Sequence, residues 1–153
     1  MTSILSEKPL SCLLYTSKVS NEGPHGILPD ARAIALNSAK NNADKGITGC
    51  LLKCEDSFIQ LLEGPPEAVE FIFERICRDF RHTDVDLIDL VGAKERLFPD
   101  WGMAFLGSTG ETNLALRDQL EDIKFLSGIN AHQAIQQMRA LFLEQSATQI
   151  EPV

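Results

Sequence analysis

An α+β fold built on a mixed sheet follows from three features of this 153-residue sequence. Residues Gly46 to Gly64 hold two apolar runs, Ile47–Leu52 and Phe58–Leu62, around a polar break at Lys53–Ser57, which is the pattern of a β-hairpin. Segments of helical period flank that hairpin, one from Pro29 to Asn42 and one from Pro66 to about Arg81. Strand-like stretches at Leu10–Ser17, Val85–Ala93 and Gly102–Leu106 complete the order β-α-β-β-α-β-β. A ferredoxin-like, split βαβ arrangement accommodates that order, and right-handed crossovers place both helices on one face.

In the first strand, alternation sets Leu13, Tyr15 and Ser17 on one side and Cys12, Leu14 and Thr16 on the other. A loop rich in turn-formers, Lys18–Leu28, leads to a helix opened by Pro29 and Asp30, a proline and an acid suited to a first turn. Its inward stripe runs Ala31, Ile34, Ala35, Ser38, Asn41, Asn42, so the lower half is small and polar. Something polar should lie against it, unless Asn41 and Asn42 merely cap the helix end. Gln60 interrupts the apolar run Phe58–Leu62, where a strand buried on both faces would carry another aliphatic. An unpartnered buried amide costs roughly 1–3 kcal/mol, so Gln60 should have a partner.

Glu63-Gly64-Pro65-Pro66 stops the strand, and Pro66 opens the next helix. Val69, Ile72, Phe73, Ile76 and Phe80 form its core stripe, bordered by Arg75 and Asp79. After the last strand, one helical pattern holds Leu114, Leu120, Ile123 and Leu126. A second opens at Asn130, an N-cap with Gln133 at the third position, and aligns Ile135, Met138, Leu141 and Phe142. These apolar faces should cap the helix-free side of the sheet or form an oligomer contact. The chain therefore divides into a flexible leader (1–9), a main domain (10–107) and a helical cap or oligomerisation segment (108–153).

Composition narrows the function. A net charge of −8 makes direct nucleic-acid binding a poor expectation, because phosphate contacts need clustered Lys and Arg. No signal-peptide pattern opens the chain, and no apolar run approaches the ~20 residues that cross a bilayer, so a cytoplasmic protein without membrane attachment is expected. The four cysteines form no CxxC pair and read as reduced, small hydrophobes. His25, His82 and His132 share no metal-ligand spacing, and no metal is expected. No nucleophile elbow, P-loop or dinucleotide fingerprint appears, so catalysis is not expected. What remains is a phenol (Tyr15), amides (Asn41, Asn42, Gln60) and a few charges (Arg75, Asp79, Arg81, His82). Amides supply donors and acceptors together, which suits a planar heterocycle with alternating carbonyl and N–H groups.

Five ordered segments resemble the BLUF family (blue-light sensing using FAD) between about Leu10 and Phe105. They are Leu13-Leu14-Tyr15-Thr16-Ser17; Asn41-Asn42 with Gly46-Ile47-Thr48-Gly49; Phe58, Gln60 and Leu62-Glu63-Gly64; Arg78-Asp79 with Arg81-His82; and Arg96, Phe98, Trp101 and Met103. The resemblance implies that FAD lies between the two helices, with Asn42 on the polar edge of the ring and Ser38 and Asn41 nearby. It implies that Arg75, Asp79, Arg81 and His82 line the ribityl and phosphate side. It further implies that Tyr15 gives an electron and a proton to the excited flavin through Gln60, whose amide is left rotated or tautomerised. Trp101 and Met103 would relay that change to an unidentified downstream signalling protein, and the two apolar stripes of the tail point to a homo-oligomer. Two other readings stay open on the residues alone: an acylphosphatase-like small hydrolase, and a ligand-free protein–protein module.

Overall fold

The computed structural model describes residues 9–19, 42–54, 56–78, 82–99, 104–107 and 114–145. Five strands form one sheet in the order β4-β1-β3-β2-β5: β1 (Leu10–Val19), β2 (Thr48–Cys54), β3 (Ser57–Gly64), β4 (His82–Ala93) and β5 (Ala104–Gly107). All pairings are antiparallel except that of β2 with β5. Helix α1 (Pro66–Cys77) follows β3, and α2 (Leu114–Ser127) and α3 (Ala131–Gln145) follow β5. The expected ferredoxin-like α+β arrangement is present. The helix expected from Pro29 lies outside the described residues, apart from helical Asn42 and Ala43 at its end.

That end closes through backbone groups. Gly46 N–H donates to Ala43 O and Ile47 N–H to Asn42 O, at 3.3 and 3.0 Å, while Gly46 adopts φ +72°. This is a Schellman closure with glycine at its left-handed position. Gly46 is thus the residue that ends the helix. Three residues on, Gly49 has φ +156°, and a Cβ there would fall 1.9 Å from Leu61 O. No side chain fits where β2 crosses so close to β3.

Strand β3 lies between β1 and β2, and all eight of its residues are buried. Its alternation sends side chains to two separate cores. On the α1 face, Leu13, Leu51, Phe58 and Leu62 meet Val69 and Ile72. On the other face, Leu14, Leu52, Ile59 and Leu61 meet Leu120, Ile123, Met138 and Phe142 of the α2–α3 hairpin. Asn130 caps α3 as expected, its Oδ1 accepting from Gln133 N–H at 3.1 Å. The tail helices cover the face that α1 leaves bare.

Three element boundaries differ from expectation. The hairpin tip is not the whole polar break, since Cys54 pairs with Ser57 and both are buried. Ladder hydrogen bonds and burial of Cys54 in the tail-side core carry the strands through that polar stretch. Helix α1 stops at Cys77, with Arg78 as its C-cap, rather than near Arg81. β4 claims the next segment, because its ladder with β1 starts at His82 opposite Val19. β4 is accordingly three residues longer at its start than Val85–Ala93.

The tail-side core makes a direct prediction. Met138 is fully buried, and Met138→Ala should cost about 2–5 kcal/mol in urea unfolding. Phe125 is 70% exposed, and Phe125→Ala should stay within about 0.5 kcal/mol of the parent.

Candidate functional site

The register of β1 on β3 sets Tyr15 directly opposite Gln60, and that of β2 on β3 sets Leu51 on the other side of Gln60. Tyr15 and Gln60 point to the α1 face, where both are buried, and the Tyr15 hydroxyl donates a hydrogen bond to Gln60 Oε1. Gln60 thus has the partner that its place in an apolar run demanded. The Phe73 ring of α1 packs on Tyr15, with centroids 5.5 Å apart and planes inclined at 55°. A phenol and an amide, both neutral, lie in an apolar surround beneath the helix.

Asn42 is buried as well, at the head of the Gly46 closure. The same turn reaches α1 through Lys45, whose Nζ sits 4.8 Å from the centroid of the Phe71 ring. Arg75 lies on the exposed side of α1 with its guanidinium 6.0 Å from that ring. An exposed cation–π contact of this kind contributes about 0.5–1 kcal/mol. Through Lys45 and Phe71 it ties the Asn42 turn to α1. His82 opens β4 opposite Val19. Ser38, Asn41, Asp79, Arg81, Trp101 and Met103 lie outside the described residues.

The cysteines take no part in this site. Cys12, Cys50 and Cys54 belong to the tail-side core, and Cys77 is exposed on α1. Burial pushes the Cys12 thiol up to about 12, with Glu63 and Asp89 adding to the rise, and holds Cys50 well above its ordinary value. Neither is a thiolate near neutral pH. Among the described residues, no cluster of His, Cys, Asp and Glu could hold a metal ion. A cavity of about 360 Å³ opens between the hairpin tip and α2, lined by Cys54, Asp56, Glu121, Lys124 and Phe125. It is remote from the Tyr15–Gln60 pair, on the tail side of the sheet.

One buried group escaped the sequence reading. Glu63, treated there as a strand stop, is 1% exposed. Its carboxylate accepts from the backbone N–H of Leu97 at 2.6 Å and of Phe98 at 2.8 Å. Arg96 beside it donates to Thr48 Oγ1, Glu63 O and Gly46 O at 2.9, 3.2 and 2.7 Å. The available signal was an acid in a strand buried on both faces, because Glu is almost never fully buried unless paired. Burial raises the Glu63 pKa above its ordinary value, while the two N–H donors, Arg96 and Thr48 restrain the rise.

Since that folded-state pKa is raised, the stability linked to Glu63 is fully present below the ordinary value of 4.5. It is lost as pH climbs through the raised value. The stability of the parent relative to Glu63→Gln should therefore be greatest near the acid end and fall toward neutrality. Paired urea titrations across that range measure the slope, and an opposite sign would mean that the hydrogen bonds outweigh burial.

Comparison with known proteins agrees with this geometry. The family described as "BLUF: Sensors of blue-light using FAD" matches residues 10–104. Photoactivated adenylate cyclase subunit beta of Euglena gracilis is 35% identical over 122 residues, 79% of this chain and 14% of that protein. The blue light- and temperature-regulated antirepressor BluF of Escherichia coli (strain K12) is 31% identical over 132 residues, 86% of this chain and 31% of that protein. The chain thus spans less than a third of either relative. The dark-state structure of BlrB, a BLUF protein, superposes with a TM-score of 0.68 at 29% identity, covering 88% of this chain and 95% of that one.

Proposed function

The chain belongs to the BLUF family, a family of flavin-binding blue-light sensors, and from that premise we propose that it binds FAD noncovalently and signals through Tyr15 and Gln60. The observation that carries this reading is the buried hydrogen bond from the Tyr15 hydroxyl to Gln60 Oε1 on the face beneath α1. The side chains there fit a flavin ring: a phenol, a primary amide and buried Asn42 offer neutral donors and acceptors without a competing charge. Asn42 would hold the polar edge of the ring, with Ser38 and Asn41 alongside. Arg75, Asp79, Arg81 and His82 would serve the ribityl and phosphate side.

Bound flavin supplies the absorption of blue light and an excited-state electron acceptor. The chain supplies the donor and the switch. Tyr15 is the oxidisable group, and its hydroxyl proton leaves toward Gln60 Oε1, the atom it already faces. When electron and proton return to Tyr15, the Gln60 amide is left with its hydrogen-bond polarity reversed, a change that requires no net charge. Packing of Phe73 against the phenol keeps Tyr15 in place and water away from it.

Output reaches an effector through contacts. The relatives named above carry a similar stretch within longer chains whose names describe a cyclase and an antirepressor. For this chain we propose an unidentified signalling partner, with Trp101 and Met103 in the relay, and a homo-oligomer formed through the tail, where Phe125, Ile129 and Leu143 are exposed. A cytoplasmic setting is consistent with helices none of which, among the described residues, is long and apolar enough to cross a membrane. Neither the hydrolase nor the ligand-free module gains support from the family match.

The deciding experiment is an absorption spectrum of the flavin-loaded protein before and after blue light. A small, reversible red shift is expected, and released flavin should run as FAD rather than FMN in chromatography. Tyr15→Phe and Gln60→Leu should both bind flavin and both lose the shift, and the double variant should match either single one. Near-normal conversion in Tyr15→Phe would remove Tyr15 as the donor.

Asn42→Ala tests the binding edge separately. Loss of a buried amide partner at roughly 1–3 kcal/mol should weaken flavin binding by about 5- to 150-fold in a fluorescence titration. Unchanged affinity would reduce Asn42 to a part of the helix end.

A further inference from the structure

Strand β3 buries Gln60 and Glu63 three residues apart, and an odd spacing puts them on opposite faces. Gln60 faces α1 and Tyr15. Glu63 faces the other side, beside Cys12 of β1 and Thr48 of β2 in the ladder. There its two carboxylate oxygens hold successive backbone N–H groups, those of Leu97 and Phe98. These residues lie in the connector between β4 and β5, which runs on through Trp101 and Met103 to Ala104. Phe98 is buried and meets the buried Phe142 of α3 edge-on, with centroids 5.6 Å apart and planes at 82°. Arg96, in the same connector, donates to Gly46 O in the closure that begins at Asn42.

We propose that Glu63 is a positioning residue that clamps the β4–β5 connector to β3 and thereby passes a change at Gln60 through Phe98 to Phe142 on α3. The inference rests on the blue-light reading of the Tyr15–Gln60 pair. A strand hydrogen-bonded on both sides transmits displacement along its length better than a loop does, and Glu63 is only three residues from the switch. The route requires two discrete arrangements of the clamp, and a buried carboxylate that lets go of its donors is left uncompensated. On that route the clamp is either made or broken. Arg96 adds a second grip from the same connector, onto β3 at Glu63 O and onto the turn holding Asn42 at Gly46 O.

Amide hydrogen exchange read by mass spectrometry, in darkness and under steady blue light, tests the clamp with the absorption spectrum recorded alongside. In the parent, exchange across residues 131–145 should change with light. Glu63→Gln offers one acceptor oxygen where two donors need one each. It should retain flavin and the full red shift, exchange its Leu97 or Phe98 amide at least about tenfold faster in darkness, and lose the light response of α3. Phe142→Leu should leave the connector as slow as in the parent and still lose the α3 response. A light response of α3 in Glu63→Gln equal to the parent's would overturn the proposal, as would a silent α3 in a parent that shows its full red shift. Should Glu63→Gln fail to hold flavin, Phe142→Leu decides, and an undiminished α3 response there counts against the route. Absence of any red shift in the parent would instead overturn the photoreceptor reading on which this one stands.

Discussion

The pairing of β1 with β3 is the constraint on which the rest depends. It sets Tyr15 opposite Gln60 on a face that both share with α1. A slip of one residue would turn every side chain of β1 over and carry Tyr15 into the tail-side core. That slip is opposed twice, because β1 is hydrogen-bonded to β3 on one edge and β4 on the other. Its pairing with β4 is irregular, with shifts between Leu14 and Tyr15 and between Thr16 and Lys18, whereas its pairing with β3 runs unbroken. The irregularity falls on the side away from Gln60, so the switch pair keeps its geometry.

The two faces of β3 hold their polar groups in different ways. A single buried hydrogen bond between neutral groups contributes only about 0.5–1.5 kcal/mol, so the Tyr15–Gln60 bond can be remade in a second arrangement at modest cost. The Glu63 carboxylate obeys different energetics. Its desolvation is only partly offset by two N–H donors and the nearby Arg96, and losing any one of them is expensive. One strand therefore holds a weakly biased element on one face and a firmly held one on the other.

The tail helices complete the core that this division requires. Without α2 and α3, the face bearing Leu14, Leu52, Ile59 and Leu61 would lie open to water. Their burial also explains the cysteines: Cys12, Cys50 and Cys54 fill that core as small apolar groups, and burial keeps the Cys12 and Cys50 thiols protonated. The edge-on contact of Phe98 with Phe142 joins the β4–β5 connector to this layer, so the helices both cover the sheet and touch the segment that leads to Trp101.

Much of this was legible in the sequence by itself. Period-two alternation assigned Tyr15 and Leu13 to one face and Cys12 and Leu14 to the other, and the break at Gln60 announced a buried partner. Helical period placed Val69 and Ile72 of α1 and the stripe of α3 on core faces, because periodicity is a property of neighbours along the chain. Boundaries were less legible, as at the hairpin tip and the end of α1, where strand pairing overrode local polarity and local period. The roles of Glu63 and Arg96 were not legible at all. Their partners lie 33 to 50 residues away in sequence, and only the sheet order brings Gly46, Thr48, Glu63 and residues 96–98 to one place. Local pattern determines which face a residue takes, but only the assembled sheet decides what it meets there.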